Sequence, residues 1–248
     1  YKLGCIYADK EYAGYDMEKA LDYLQRSAAQ ENQYAQYKLG CIYADKEYVG
    51  YDMEKALEYL QKSADQDNQY AQYKLGCIYA DKEYAGYDME KALGYLLRSA
   101  DQENQYAQYK LGCIYADKEY TGYDIGKALD YLQKSAVREN QYAQCKLGMI
   151  YLFGKGVEKN KELAEYWLHK SADQGNIFAK DLLENRGFIG INVTYCLIKG
   201  VLQEMDRLQG QQQSLYEQNR LRDNKQAMKE YIKNRDGEQR KEVDEYGL

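Results

Sequence analysis

The residues of this chain with the most reactive chemistry are its six cysteines, its single histidine and a Gly-Lys-Gly turn. Cys5, Cys41, Cys77 and Cys113 recur at a fixed period, and with Cys145 and Cys196 they suggest a disulfide framework or a metal ladder. The spacing opposes both. Equivalent residues on stacked helices stand about 8 to 10 Å apart, beyond the roughly 4.4 to 6.8 Å between Cα atoms that a disulfide spans. The expectation is therefore six thiols in a reducing cytoplasm, with no metal and no cofactor. His169 sits where the other repeats carry Gln25, Gln61, Leu97 and Gln133, so that position is not held to catalysis. With one histidine, multi-His metal sites and His-dependent triads are largely excluded. Gly154-Lys155-Gly156 lacks the spacing of a phosphate loop and reads as a turn. Asn192-Val193-Thr194 matches a glycosylation sequon, which has no consequence in a protein that is not secreted. No catalytic residue emerges, and the chain reads as no enzyme.

Composition narrows the partners. A formal charge of −6 opposes broad duplex-DNA binding, whose affinity comes from Lys and Arg neutralising phosphates. The most apolar window, residues 188–198, is too short for a bilayer span and contains Asn192 and Thr194, so no membrane partner is expected. Tyr1 enters in mid-pattern, which reads as a segment cut from a longer protein.

The elements that must position any site follow from one period. Leu-Gly recurs at Leu3, Leu39, Leu75, Leu111 and Leu147, always 36 residues apart, giving repeats 1–36, 37–72, 73–108, 109–144 and 145–180. Repeats 1 and 2 differ only at Ala13/Val49, Asp22/Glu58, Arg26/Lys62, Ala29/Asp65 and Glu31/Asp67, while repeat 5 diverges as terminal units do. In repeat 2, Ala35, Leu39 and Tyr43 step by four after Asn32, a good N-cap, which predicts helix A over 33–45. Asp52 caps the next helix, with Glu54 in its first turn. Ala56, Leu57, Tyr59, Leu60 and Ala64 then form the apolar stripe of helix B over 53–66, and small residues such as Gly40 and Ala56 let the helices approach closely. Two short antiparallel helices per repeat make an α-solenoid.

Repeat 5 carries a family likeness. Ala143-Gln144-Cys145-Lys146-Leu147-Gly148-Met149-Ile150-Tyr151, followed by Gly154, Gly156, Ala164, Trp167, Ser171-Ala172 and Gly175, closely resembles a Sel1-like repeat. Tetratricopeptide repeats fit less well, since their period is about 34 and they usually carry a proline that this chain lacks. The resemblance implies an all-α, right-handed superhelix of helix pairs used as an adaptor surface. Cys-rich secreted members of the family have two cysteines per repeat, whereas this chain has one.

Repeats 1 to 4 depart from the pattern. Gly154 and Gly156 become Lys10/Tyr12, Lys46/Tyr48, Lys82/Tyr84 and Lys118/Tyr120, so the A to B loop must be rebuilt around Gly14, Gly50, Gly86 and Gly122. Gly175 becomes Glu31, Asp67, Glu103 and Glu139, where a left-handed C-cap costs a non-glycine residue about 1 kcal/mol.

The 30 tyrosines suggest where a partner binds. Tyr7, Tyr43, Tyr79, Tyr115 and Tyr151 lie on the Leu-Gly face, and Tyr23, Tyr59, Tyr95 and Tyr131 share the position of Trp167. Tyr37, by contrast, falls roughly 200° from the core face of helix A. That makes a ladder of Tyr37, Tyr73 and Tyr109 beside Cys41, Cys77 and Cys113, with Lys38, Lys74 and Lys110 on the same arc. It either floors a concave groove for a protein or peptide segment or packs between adjacent A helices. Repeats 1 to 3 hold 12 basic and 19 acidic side chains, so a basic segment would be steered to that end.

Beyond residue 180, Asn176, Ala179 and Leu183 open a further capping helix that breaks near Arg186-Gly187. Leu197, Val201, Met205 and Leu208 predict an amphipathic helix over 191–209 with a short strand as the alternative, and residues 210–248 are a polar tail, either helical or disordered. More loosely, Asn68-Gln69-Tyr70-Ala71-Gln72-Tyr73-Lys74-Leu75-Gly76 and residues 220–235 resemble the C-terminal arrays of bacterial mobilisation relaxases, though the nuclease signature is absent. The function expected is a non-enzymatic interaction scaffold, as an accessory region of a mobilisation protein or, alternatively, as a regulatory adaptor or enzyme-inhibitor-type array. The oligomeric state is left open. Titration of the denatured chain without reductant should count six thiols; a count of zero or two would move the protein out of a reducing compartment.

Overall fold

The computed structural model describes residues 1–9 and 14–184. They fold into eleven helices with no strand among the described residues: α1 (Lys2–Tyr7), α2 (Met17–Ala29), α3 (Gln33–Tyr43), α4 (Met53–Asp65), α5 (Gln69–Tyr79), α6 (Met89–Asp101), α7 (Gln105–Tyr115), α8 (Ile125–Val137), α9 (Gln141–Phe153), α10 (Lys161–Asp173) and α11 (Ile177–Glu184). Two compact units divide the chain, one containing Tyr1–Ala56 and the other Leu57–Gln209. The expected all-α array of helix pairs is what forms, and α11 packs Phe178, Leu182 and Leu183 against the core cluster that holds Leu147 and Leu168. The amphipathic helix expected over 191–209 and the tail 210–248 lie outside the described residues.

Local sequence sets each boundary. Asn68, Asn104 and Asn140 accept from the backbone N–H groups two and three residues ahead, at 2.9 to 3.2 Å, and so start α5, α7 and α9. Asp16, Asp52, Asp88 and Asp124 do the same for α2, α4, α6 and α8, each accepting at 3.0 Å from the N–H three residues on. A second device works at the far end of helix B. The buried amides of Gln72, Gln108 and Gln144 donate at 3.0 to 3.3 Å to the carbonyls of Ala64, Ala100 and Ala136, giving each a second donor beside the backbone N–H of Asp67, Glu103 and Glu139.

Within a pair, helix A and helix B touch at a glycine. A Cβ on Gly112 would stand 2.6 Å from Leu132 Cγ and 3.2 Å from the Ala128 carbonyl oxygen. Gly4, Gly76 and Gly148 repeat the contact against Leu24, Leu96 and Leu168. The pairs are further tied by Ser99, Ser135 and Ser171, whose hydroxyls donate at 2.7 Å to the carbonyls of Gln69, Gln105 and Gln141.

The departures from the repeat pattern take an unexpected form. Glu31, Asp67, Glu103 and Glu139 do adopt the left-handed backbone, with φ of 59°, 59°, 64° and 61°, as Gly175 does at 90°. In the second unit the acids gain partners in the next pair: Asp67 with Arg98 at 3.3 Å, Glu103 with Arg138, and Glu139 with Lys170 at 3.7 Å. The A to B loops are rebuilt around Gly50, Gly86 and Gly122 with no left-handed residue. Each glycine instead leaves space for the ring two residues earlier, since a Cβ on Gly86 would meet Tyr84 Cε1 at 2.6 Å.

Two glycine-to-alanine substitutions should move stability in opposite directions. Gly94, in α6, has open space around the missing Cβ, so Gly94→Ala should stabilise by about 0.5 to 1 kcal/mol through helix propensity. Gly112→Ala must displace the branch point of Leu132 and should cost about 1 to 3 kcal/mol despite the same propensity gain. Thermal unfolding of the two variants checks both signs; equal shifts would refute the close approach.

Candidate interaction surface

Helix A presents its residues to three surroundings. Ala71, Leu75 and Gly76 of α5 are buried on the α6 side, and Gln72 and Tyr73 are buried as well. Tyr70, Lys74, Cys77 and Ile78 are half-buried, and their spacing of four, three and one residues keeps them within one stripe. On α3 the equivalent stripe is Tyr34, Lys38 and Cys41, with Tyr34 41% exposed. On α7, Lys110 and Cys113 are half-buried but Tyr106 is buried, and on α9 only Lys146 of Tyr142, Lys146 and Met149 escapes full burial.

The tyrosines of the ladder are buried. Tyr37, Tyr73 and Tyr109 are 7%, 6% and 1% exposed. Tyr73 joins the cluster of Leu96, Ala100, Tyr106 and Leu111, and Tyr109 joins that of Leu132, Tyr142, Leu147 and Trp167. Their rings meet the next helix A, Tyr73 with Tyr106 at 6.1 Å and Tyr109 with Tyr142 at 6.4 Å between centroids. The reason is geometric. A helix in a stacked array has a neighbour on its flank as well as a partner beneath it, so a residue 200° from one core face lies in the next. The aromatics in the open stripe are Tyr34 and Tyr70. They share a helical line with Lys38 and Lys74, four residues on, a signal that was available in the sequence.

The five described cysteines are thiols. Cys41, Cys77 and Cys113 are half-buried in the stripe, while Cys5 and Cys145 are buried. Burial pushes the Cys145 thiol up to about 12, which leaves it protonated and unreactive. Cys196 lies outside the described residues. His169 is exposed on α10. Among the described residues no three His, Cys, Asp or Glu side chains gather, and no helix is long and apolar enough to cross a membrane.

The lysines fall into two populations. Those of helix B are neutralised on their own surface: Lys91 pairs with Asp88 at 3.5 Å, Lys127 with Asp124 at 3.9 Å and Lys134 with Asp130 at 2.7 Å. Lys91 and Lys127 also lie over the Tyr79 and Tyr115 rings, at 5.6 and 5.4 Å from the centroids. Helix A is different, because each of α3, α5, α7 and α9 carries one lysine and no acid. After α9, Lys155 is half-buried, and its pKa is lowered by burial, then by the neighbouring ammonium groups of Lys146 and Lys118. The stripe thus offers aromatic edges, thiols and cations for contact.

This geometry agrees with what the chain is similar to. The Sel1 repeat family matches residues 1–32, 33–68, 69–104, 105–136 and 141–176, and the chain belongs to that family. Arrays of this family generally serve as protein–protein interaction scaffolds. The crystal structure of a Sel1 repeat protein from Oxalobacter formigenes is 25% identical, with a TM-score of 0.66 over 72% of this chain and 73% of that one. The fold is also shared with c5321, a protective antigen of uropathogenic Escherichia coli displaying an SLR fold, at 24% identity and a TM-score of 0.64. That match covers 71% of this chain and 38% of the antigen. No curated protein matches the chain.

Truncation should separate the two kinds of tyrosine. Tyr109→Ala removes a ring that is 1% exposed and should cost about 3 to 5 kcal/mol, whereas Tyr34→Ala, at a 41% exposed ring, should cost less than about 1 kcal/mol. Chemical denaturation of both variants tests this; a small loss at Tyr109 would return that ring to the open surface.

Proposed function

We propose that the chain is a non-catalytic scaffold that holds a segment of a partner protein against its A helices. The observation that carries this reading is the half-open stripe of Tyr70, Lys74 and Cys77 on α5, with Lys110 and Cys113 continuing it on α7; within the first unit, α3 carries Tyr34, Lys38 and Cys41 at the same positions. These side chains are partly exposed, while the repeat's other apolar positions are largely committed to its own core. Among the residues named from sequence, Lys38, Lys74, Lys110, Cys41, Cys77 and Cys113 remain contact candidates. Tyr37, Tyr73 and Tyr109 act from beneath, fixing the helices that carry the stripe. A cytoplasmic setting suits five described cysteines that are all thiols.

The wider context, an accessory region of a mobilisation protein, rests on the resemblance of residues 68–76 and 220–235 alone. A relaxase domain upstream in the same reading frame would support it, and a reading frame without one would favour the adaptor or inhibitor-type alternative.

Affinity capture with the full chain and with a Tyr34→Ala/Tyr70→Ala variant tests the scaffold reading. The expected result is a defined partner retained by the native chain and depleted severalfold on the variant, with unfolding temperatures within a few degrees. Undiminished capture by the stable variant would refute the reading.

A further inference from the structure

Repeat 5 differs from the others on the outer face of helix B. In α2, α4, α6 and α8 that face carries Lys19, Lys55, Lys91 and Lys127, followed three residues on by Asp22, Glu58, Gly94 and Asp130. In α10 the same two places hold Leu163 and Tyr166. Both are turned to solvent, at 39% and 51% exposure, while Ala164 and Leu168 of the same helix are buried in the core. Tyr166 rests edge-on against Trp167, with 4.9 Å between ring centroids, and Lys170 lies over the Tyr166 ring at 5.6 Å. Two exposed apolar side chains on their own say little. The arrangement of charge around them identifies what covers them.

Residues three and four apart share a helix face, so Glu162, Leu163, Tyr166, His169 and Lys170 form one surface of α10. Their order is self-complementary. When two copies of α10 lie antiparallel with Tyr166 at the twofold axis, each residue before Tyr166 meets the residue the same number of places after it in the other copy. Glu162 then faces Lys170 and Leu163 faces the His169 ring, and each contact occurs twice. The other helices B do not meet this condition. The flanking charges recur on α2, α4 and α6 as Glu18/Arg26, Glu54/Lys62 and Glu90/Arg98. At the centre, however, α2 would set Asp22 against Asp22, α4 would set Glu58 against Glu58, and α6 has Gly94, which offers no side chain. In α8 the centre is Asp130 and Gly126 replaces the flanking acid.

We propose that the outer face of α10 is a self-association surface, on which a second copy of this chain docks antiparallel through Leu163, Tyr166 and two reciprocal Glu162–Lys170 pairs. Lys170 already meets Glu139 at 3.7 Å, but an ammonium has three donors and both side chains are well exposed, so it can hold the two acids together. The contact is small. Two 13-residue helices, each about 20 Å long, bury less than the roughly 1,200 Å² of a standard interface, which makes the dimer weak and reversible, with a dissociation constant of about 10 to 100 µM. The A helices take no part in it, so a dimer presents two copies of their stripe and gains affinity for a partner with two binding segments. The inference goes beyond the scaffold reading and stands independently of it.

Analytical ultracentrifugation of the full chain from about 5 to 500 µM tests the proposal. The mass should rise from 29.0 kDa toward twice that value. Leu163→Lys/Tyr166→Asp, which restores the residue types of repeat 4, should stay monomeric across the range. Ile177→Lys, at an apolar side chain 65% exposed on α11, should associate within about twofold of the native chain. Charge reversal reads the register. Glu162→Lys and Lys170→Glu should each weaken self-association by about tenfold, because like charges then meet at both ends of the contact. An equimolar mixture of the two variants should recover the native affinity, since each copy supplies the charge that the other lacks.

A native chain that remains at 29.0 kDa at the highest concentration overturns the proposal. So does association that persists in Leu163→Lys/Tyr166→Asp, or association lost in Ile177→Lys, which moves the contact to α11. A mixture of the two charge variants that associates no better than either alone overturns it as well. Thermal unfolding accompanies each variant, and should Leu163→Lys/Tyr166→Asp unfold, the mixture of charge variants still decides.

Discussion

The repeat depends on helix A lying directly on helix B at a glycine. At Gly4, Gly76, Gly112 and Gly148 the missing Cβ lets the branch of a leucine and a backbone carbonyl oxygen come within 2.6 to 3.2 Å of where that carbon would be. This approach buries Leu24, Leu96, Leu132 and Leu168 almost completely, and it puts the Ser99, Ser135 and Ser171 hydroxyls within reach of the first carbonyls of helix A. A larger residue at the glycine would lift one helix from the other and break both sets of contacts. Once the two axes are fixed, the opposite flank of helix A is also fixed, and with it the side chains that can meet the next pair.

Each helix B leads into the next helix A through a turn that is strained. A carboxylate side chain at φ near 60° costs about 1 kcal/mol relative to glycine, and the chain accepts that cost at Glu31, Asp67, Glu103 and Glu139. The ion pairs those acids make are exposed and individually worth little. Other bonds gather at the same joint. Arg98 also donates to the Ala64 carbonyl at 3.3 Å, Gln174 donates to both Glu139 and Gln144, and Tyr95 donates to Gln61. Repeat 4 shows what this network is sensitive to. Gln102 and Gln174 donate to Gln72 and Gln144, but Arg138 replaces the glutamine and turns to Glu103, leaving the buried Gln108 side-chain oxygen with no hydrogen bond. An unmet buried acceptor costs about 1 to 3 kcal/mol, more than one exposed ion pair restores. This joint is therefore weaker than its neighbours by a single side chain.

The period, the helix pairs, the Asn and Asp caps and the close contact at the glycine of the Leu-Gly pair were all legible in the sequence, because each depends on local spacing or on one residue's size. The left-handed acids were legible as strain but not as anchors, since their partners lie 31 to 35 residues away. For the tyrosine ladder the sequence left two places open, a groove floor or packing between adjacent A helices, and a single repeat could not decide between them. Tyr37 was measured against the core of its own pair, whereas the flank that covers Tyr73 and Tyr109 comes from the adjoining pair, a surface that one repeat's sequence does not contain. The three-residue shift from Tyr37 to Tyr34 follows from asking which aromatic shares a line with the lysine rather than which lies opposite the leucine.

The same lesson governs charge. Counting residues by repeat averages helix A with helix B and the loops, and yields an acidic array that ought to attract a basic partner. Side chains, however, interact with what their own face meets. Helix B lysines are matched by the caps and by acids one turn away, as in Lys134 with Asp130 and Lys62 with Glu58, so that face is close to neutral at contact range. Helix A carries one lysine and no acid of its own, so whatever that lysine meets comes from another element. Because exposed charges are screened beyond about 8 Å in physiological salt, a bound segment senses the nearest helix more than the sum over the chain. The charge that a neighbouring segment meets is therefore set helix by helix, by the side chains on the helices that the glycine contact holds in place.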